Sequence, residues 1–113
     1  MQRDELVTYL DGLLRVQEIS DPSQNGLQVE GAAEVEMVAF TVDASQAAFE
    51  AAAAAGAQML VVHHGLFWSG SQPVTGARYD RLRLLFDNDI AVYSAHLPLD
   101  AHPTLGNNVL LAQ

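Results

Sequence analysis

Cysteine and lysine are both missing from this sequence of 113 residues. Without cysteine the chain has no disulfide framework and no thiolate metal site. All five basic residues are arginines, the sequence has 14 acidic residues, and the formal net charge is −9. Because so acidic a protein repels a phosphate backbone, we expect no nucleic-acid partner.

Long hydrophobic runs are also missing. No stretch approaches the ~18 consecutive apolar residues of a membrane span. The N-terminus, MQRDELVTYL, carries acidic residues early and has no unbroken apolar run, unlike a secretory signal. We therefore expect no membrane partner and a cytoplasmic location. Half of the residues are nevertheless hydrophobic, which is typical of a globular protein.

Apolar periodicity predicts helices that alternate with strands. This alternation favours an α/β fold, a parallel-type βαβ sheet with flanking helices, in a single α/β domain over residues 1–113. A further apolar helix is expected to begin at 109–112. The helices are predicted over 2–16, 44–55 and 77–87, and the strands over 35–42, 58–62 and 90–95.

Two short segments between these elements are predicted from local signals. Asp43, with Gln46 three residues later, resembles a capping box at the start of the second helix. Asn25 to Gln28 is predicted to be a turn in which Gly26 supplies the positive φ. A role for Asn25 or Gln28 at a functional site is a second interpretation of the same segment.

Three histidines and a carboxylate follow two of the predicted strands. His63 and His64 come after one strand, and His96 and Asp100 come after another. In an open parallel sheet, ligands bind outside the carboxyl ends of the strands, so neighbouring strands would bring these side chains into one crevice. Imidazole and carboxylate together suit zinc, manganese, iron, nickel or cobalt.

The histidine pair leaves two arrangements open. Successive side chains of a strand point to opposite faces, so His63 and His64 serve one metal only if the strand has already ended. Otherwise they serve two metals, one each. Hydrogen-bonded structural histidines are the alternative.

Phe67 and Trp68 are expected to pack in the core or at a subunit contact, or to form an aromatic wall for a ring substrate.

Three sequence blocks together resemble a known family. They are NGLQVEG at 25–31, HHGLFW at 63–68 and HLPLDAHPTLGNN at 96–108. In this order they are similar to the GTP cyclohydrolase 1 type 2 homologue family, also called NIF-three-like or YbgI-like proteins. The resemblance covers the N-terminal portion of a family member. It implies a fold of two similar halves, of which this chain is the first, with a dinuclear metal site between them and assembly into a hexamer.

The resemblance also assigns residues and a function. It implies that His63, His64 and Asp100 are metal ligands, completed by a histidine and a glutamate from the second half. The full-length protein is then expected to be a dinuclear-metal-dependent hydrolase, and the alternative is a non-enzymatic metal-binding or assembly protein. We expect these 113 residues to be inactive alone and to bind metal more weakly below about pH 6. Positions expected near the site are His96, His102, Asn25 and Trp68.

Overall fold

A computed structural model of the protein describes residues 1–16, 24–68 and 73–96. The helix expected to begin at 109–112 lies outside the described residues. The described residues form three helices and four strands in the order α1 Arg3–Leu14, β1 Gly26–Val29, β2 Val38–Asp43, α2 Gln46–Ala55, β3 Met59–His64, α3 Gly76–Asp87 and β4 Ala91–Ser94.

The four strands form one sheet in the order β1-β4-β3-β2. β2, β3 and β4 are parallel, as predicted, and the α/β fold class is confirmed. β1 differs from the prediction, because a turn was expected there and a strand antiparallel to β4 is found. The turn signal Asn25-Gly26 is correct only for the entry to this strand, where Gly26 has a φ of 96°.

Helices cover both faces of the sheet. Alternate residues of β3 contribute to two different cores: Leu60 and Val62 pack with α2 and α3, whereas Met59 packs with α1. All four residues of β4 are buried. A strand with both faces covered is expected to be apolar throughout, which accounts for the nearly continuous hydrophobic runs at 58–62 and 90–95.

The start of α2 differs from the predicted capping box. Ser45 is the N-cap, and its Oγ accepts a hydrogen bond from the N–H of Ala48 at 3.2 Å. A Ser side chain at this position satisfies one of the unpaired N–H groups of the first turn. β2 continues through Asp43, whose carboxylate is therefore directed to the end of the sheet instead of to the helix.

The segment after β1 packs tightly against β4. Gly31 has a φ of 63°, and a Cβ at this position would overlap the backbone of Ala91. The N–H of Ala32 donates to the carbonyl of Asp89 at 2.9 Å. Glycine is therefore required where the chain leaves β1. In the part of the chain that the structure describes, no helix has the length and apolar character needed to cross a membrane.

Candidate functional site

One edge of the sheet collects the ends of all four strands. The parallel strands β2 and β3 end in register, with Asp43 opposite His64. The antiparallel strand β1 begins at this edge, because Gly26 pairs with Ser94 at the end of β4. The carboxyl ends of three strands and the residue before β1, Asn25, therefore meet, as the rule for open parallel sheets predicts.

His63, His64 and His96 form a three-histidine cluster at this edge. One ring nitrogen from each lies within 4.8 Å of the others. The ring centroid of His63 is 4.8 Å from that of His64 and 4.9 Å from that of His96. His63 and His96 are half-buried and His64 is exposed. Within residues 1–16, 24–68 and 73–96, this is the one group of potential metal-ligating side chains at such spacing.

The strand β3 continues through both members of the histidine pair. Alternation along the strand would send His63 and His64 to opposite faces, yet their rings are close together and tilted by 31°. The two residues are the last of the strand, where His63 is half-buried and His64 is exposed. Their imidazoles can both reach the edge from this position, so the strand need not end before the pair for the rings to converge.

Hydrogen bonds define the orientation of the first two rings. Nδ1 of His63 lies 2.7 Å from the carbonyl oxygen of Ala95. Nδ1 of His64 lies 2.8 Å from Oδ1 of Asp43. Carbonyl and carboxylate oxygens only accept, so each Nδ1 must be the donor, and in the neutral ring Nε2 then carries the lone pair.

The third histidine is held through its backbone. The N–H of His96 donates to Oδ1 of Asn25 at 2.8 Å. Asn25 comes just before β1 and His96 just after β4, so this bond joins the beginning of one strand to the end of its neighbour. The structure thus places Asn25 at the edge where the histidines lie, and its Oδ1 contacts the main chain of His96.

Gln28 holds the loop that follows the histidine pair. Its Oε1 accepts from the N–H of Leu66 at 2.8 Å, and its Nε2 donates to the carbonyls of Phe67 at 3.1 Å and Gln24 at 2.7 Å. A Cβ at Gly65 would lie 2.5 Å from Gln28 Oε1, so only glycine allows this approach. A role for Gln28 was only the second interpretation of the predicted turn at 25–28, and the sequence carries no signal for partners in a loop almost 40 residues away.

The two aromatic residues of the HHGLFW block have different surroundings. Phe67 packs against the core, and the guanidinium of Arg78 lies 4.7 Å from its ring centroid. Trp68 is 37% exposed, and its ring centroid is 5.0 Å from that of His96 and 6.5 Å from that of His64. Phe67 is thus a packing residue, and Trp68 stands beside the three-histidine cluster.

Two of the predicted positions, Asp100 and His102, lie outside the described residues. The described part of the site is thus the three-histidine cluster with its hydrogen-bond partners.

The donor set of the cluster fits a divalent cation. Three imidazoles are typical ligands of zinc and other borderline metals. Two nitrogens bound to one ion at about 2.1 Å can be no more than about 4.2 Å apart. The nitrogens of the cluster lie within 4.8 Å of one another, a spacing slightly wider than this limit. The geometry is also wide enough to leave one ion or two as alternatives.

This chain matches a family model and several known proteins. The family model described as Duf34/NIF3 (NGG1p interacting factor 3) matches residues 1–113. A Deinococcus radiodurans protein named "GTP cyclohydrolase 1 type 2 homolog" is 47% identical over 111 residues, which cover 98% of this chain and 42% of that protein. An Escherichia coli K12 protein of the same name is 48% identical over 113 residues, covering 99% of this chain and 46% of that protein.

A solved structure extends the similarity to three dimensions. The crystal structure of a Thermus thermophilus protein matches with a TM-score of 0.96 and 52% identity, covering 99% of this chain and 47% of that one. The chain thus spans less than half the length of these relatives.

Proposed function

The chain belongs to the Duf34/NIF3 family, and on this basis we propose that its three-histidine cluster is part of a divalent-metal site. The observation that carries the proposal is the approach of three imidazole nitrogens to within 4.8 Å at the carboxyl ends of parallel strands. Because two of these rings are hydrogen-bonded through Nδ1, we propose Nε2 as their metal-ligating atom.

His63 and His64 hold the metal through Nε2 in this proposal, and Asp100 adds a carboxylate. His96 lies close enough to serve as a further ligand or to border the site. The relatives are more than twice as long as the part that this chain matches, and we propose that the additional chain supplies the remaining ligands. A bound divalent ion supplies Lewis acidity and lowers the pKa of water, which is the chemistry of a metal-dependent hydrolase.

The residues of the chain have separate tasks in such a reaction. The carbonyl of Ala95 accepts from the ring of His63, and Trp68 presents a partly exposed aromatic face on which a planar substrate can stack. The relatives named as GTP cyclohydrolase homologues make purine nucleotides the first substrates to test. We propose hydrolysis by the longer protein, no turnover by the 113 residues alone, and assembly of the longer protein into a homo-oligomer.

Metal titration tests the proposal directly. Zinc and manganese are titrated into the wild-type chain and into His63→Ala and His64→Ala, with binding followed calorimetrically and folding checked by circular dichroism. We expect saturable binding in the wild type and a loss of at least about 10-fold in affinity in each variant. Gln58→Ala, which changes the opposite end of β3, is the control. Folded wild-type protein that binds neither metal would refute the proposal for this chain.

Turnover is measured in parallel on nucleotide and phosphoester panels. A version extended through the second half of the relatives is compared with the 113 residues. Metal-stimulated hydrolysis by the extended protein only is the expected result. Stoichiometric metal without turnover in the extended protein would instead favour a non-enzymatic metal-binding or assembly protein.

A further inference from the structure

Asp43 is the described acidic side chain in direct contact with the three-histidine cluster. It is the last residue of β2, and it lies opposite His64 in the parallel register with β3. Its Oδ1 is 2.8 Å from Nδ1 of His64. Asp43 is not itself within the group of atoms that could share an ion, so its carboxylate stands behind the ring instead of beside the metal.

The contact is not explained by the needs of the fold. Ser45, not Asp43, caps α2. The Asp43 side chain is 71% exposed and that of His64 is 46% exposed, so the pair adds little to stability. A well-formed hydrogen bond of low stabilising value, at the back of an imidazole, is the arrangement expected of a group that orients a metal ligand.

We propose that Asp43 is a positioning residue of the metal site, which accepts the Nδ1–H of His64 and so presents Nε2 to the ion. This inference rests on the proposed function. The neighbouring ring gives a built-in comparison, because His63 has the same tautomer imposed by a main-chain oxygen, that of Ala95. A substitution at Asp43 therefore removes the Nδ1 partner of His64 and leaves Ala95, the Nδ1 partner of His63, in place.

The first readout needs no metal. Nitrogen-15 spectra of the imidazoles, recorded on the metal-free chain at about pH 8, distinguish Nδ1–H from Nε2–H rings. In the wild type we expect both His63 and His64 to carry the proton on Nδ1. In Asp43→Ala, His64 should lose this preference and His63 should keep it. Asp43→Asn retains an acceptor oxygen and should preserve the wild-type pattern.

The second readout is zinc affinity. Because the pair is exposed, we expect Asp43→Ala to weaken binding by about 10-fold, the lower end of the range for groups that orient a ligand. Asp43→Asn should fall between Asp43→Ala and the wild type. Asp87→Asn is the matched control, since Asp87 is a similarly exposed carboxylate, paired with Arg83 on α3, and its loss changes the net charge equally. Its affinity for zinc should be that of the wild type.

The two readouts separate the possible failures. If Asp43→Ala keeps Nδ1–H on His64 and binds zinc as the wild type does, Asp43 has no positioning role. An equal loss in Asp87→Asn would reduce the effect to net charge and overturn the proposal as well. If the wild type binds no zinc at all, the proposed function fails for this chain, while the spectra still decide whether Asp43 sets the tautomer of His64.

Discussion

Replacing Gln28 with alanine tests whether one side chain of β1 holds the loop after the histidine pair. The substitution removes three hydrogen bonds, to the main chain of Leu66, Phe67 and Gln24. Each such bond contributes about 0.5–1.5 kcal/mol, so the sum lies between about 1.5 and 4.5 kcal/mol. Gln28 is half-buried and water replaces part of this loss, so we expect about 2 kcal/mol.

This loss of stability is large enough to measure by thermal unfolding. A chain of 113 residues has an unfolding entropy of roughly 0.24 kcal/mol/K, so a loss of about 2 kcal/mol lowers Tm by about 8 °C. Release of the loop should also weaken metal binding, because His64 directly precedes it. The assay is calorimetric unfolding followed by zinc titration at a temperature where the variant is folded.

Gln58 provides a matched control at the other end of β3. Its side chain also makes three hydrogen bonds to the main chain, with Glu36, Met37 and Gly56. Gln58→Ala should lower Tm to a comparable degree and leave zinc affinity unchanged. Equal zinc affinity in Gln28→Ala and the wild type would refute the link between this loop and the site. A fall in Tm below about 2 °C would refute the hydrogen-bond arithmetic.

Three further perturbations have expected outcomes. Burial, and then a hydrogen bond to Asp11, raise the pKa of Tyr93 above its usual value. The neutral phenol therefore contributes fully to the free energy of unfolding below about pH 10, and this contribution declines as pH rises further. Chemical denaturation across this range should show the decline in the wild type and not in Tyr93→Phe. Gly31→Ala should cost at least about 2 kcal/mol in unfolding free energy, because the added methyl meets backbone at a φ of 63°. Gly12→Ala, in α1 with open space around it, should instead stabilise by about 0.5–1 kcal/mol, and equal effects would contradict the steric argument. Zinc occupancy measured by elemental analysis should be higher at about pH 8 than at about pH 5, since protons compete for imidazole nitrogens, and equal occupancy would argue against histidine ligands.

Much of the architecture could be predicted because its signals are local. β3 and β4 are largely apolar runs, α2 is an alanine-rich segment that ends at Gly56, and α3 shows helical periodicity. The placement of His63, His64 and His96 at strand ends followed from these strands and the geometry of parallel sheets. The outer strand β1 could not be found in this way, because its four residues are paired with a distant part of the chain and its Asn-Gly start resembles a turn.

The hydrogen-bond partners of the histidines could not be predicted from local sequence patterns either. Asn25 and His96 are 71 residues apart, and their contact depends on β1 and β4 being neighbours. Asp43 matched a helix cap by sequence, and Ser45 fills that role in the structure. The capping-box pattern assigned Asp43 to the start of α2. In the structure Asp43 is instead the last residue of β2, opposite His64 at the end of β3.

The position of β1 predicts that ion affinity at the proposed metal site depends on local opening of the sheet. β1 is a short outer strand, and short outer segments open at low free-energy cost. Opening it would withdraw Asn25 from His96 and Gln28 from the loop after the histidine pair. An ion that binds only the closed form, at about 100 times its Kd, stabilises that form by about 2.7 kcal/mol. With the ion present, the amide hydrogens of β1 should then exchange with solvent up to about 100-fold more slowly than without it. Hydrogen exchange in β1, which carries none of the proposed ligands, would therefore report the occupancy of the proposed site.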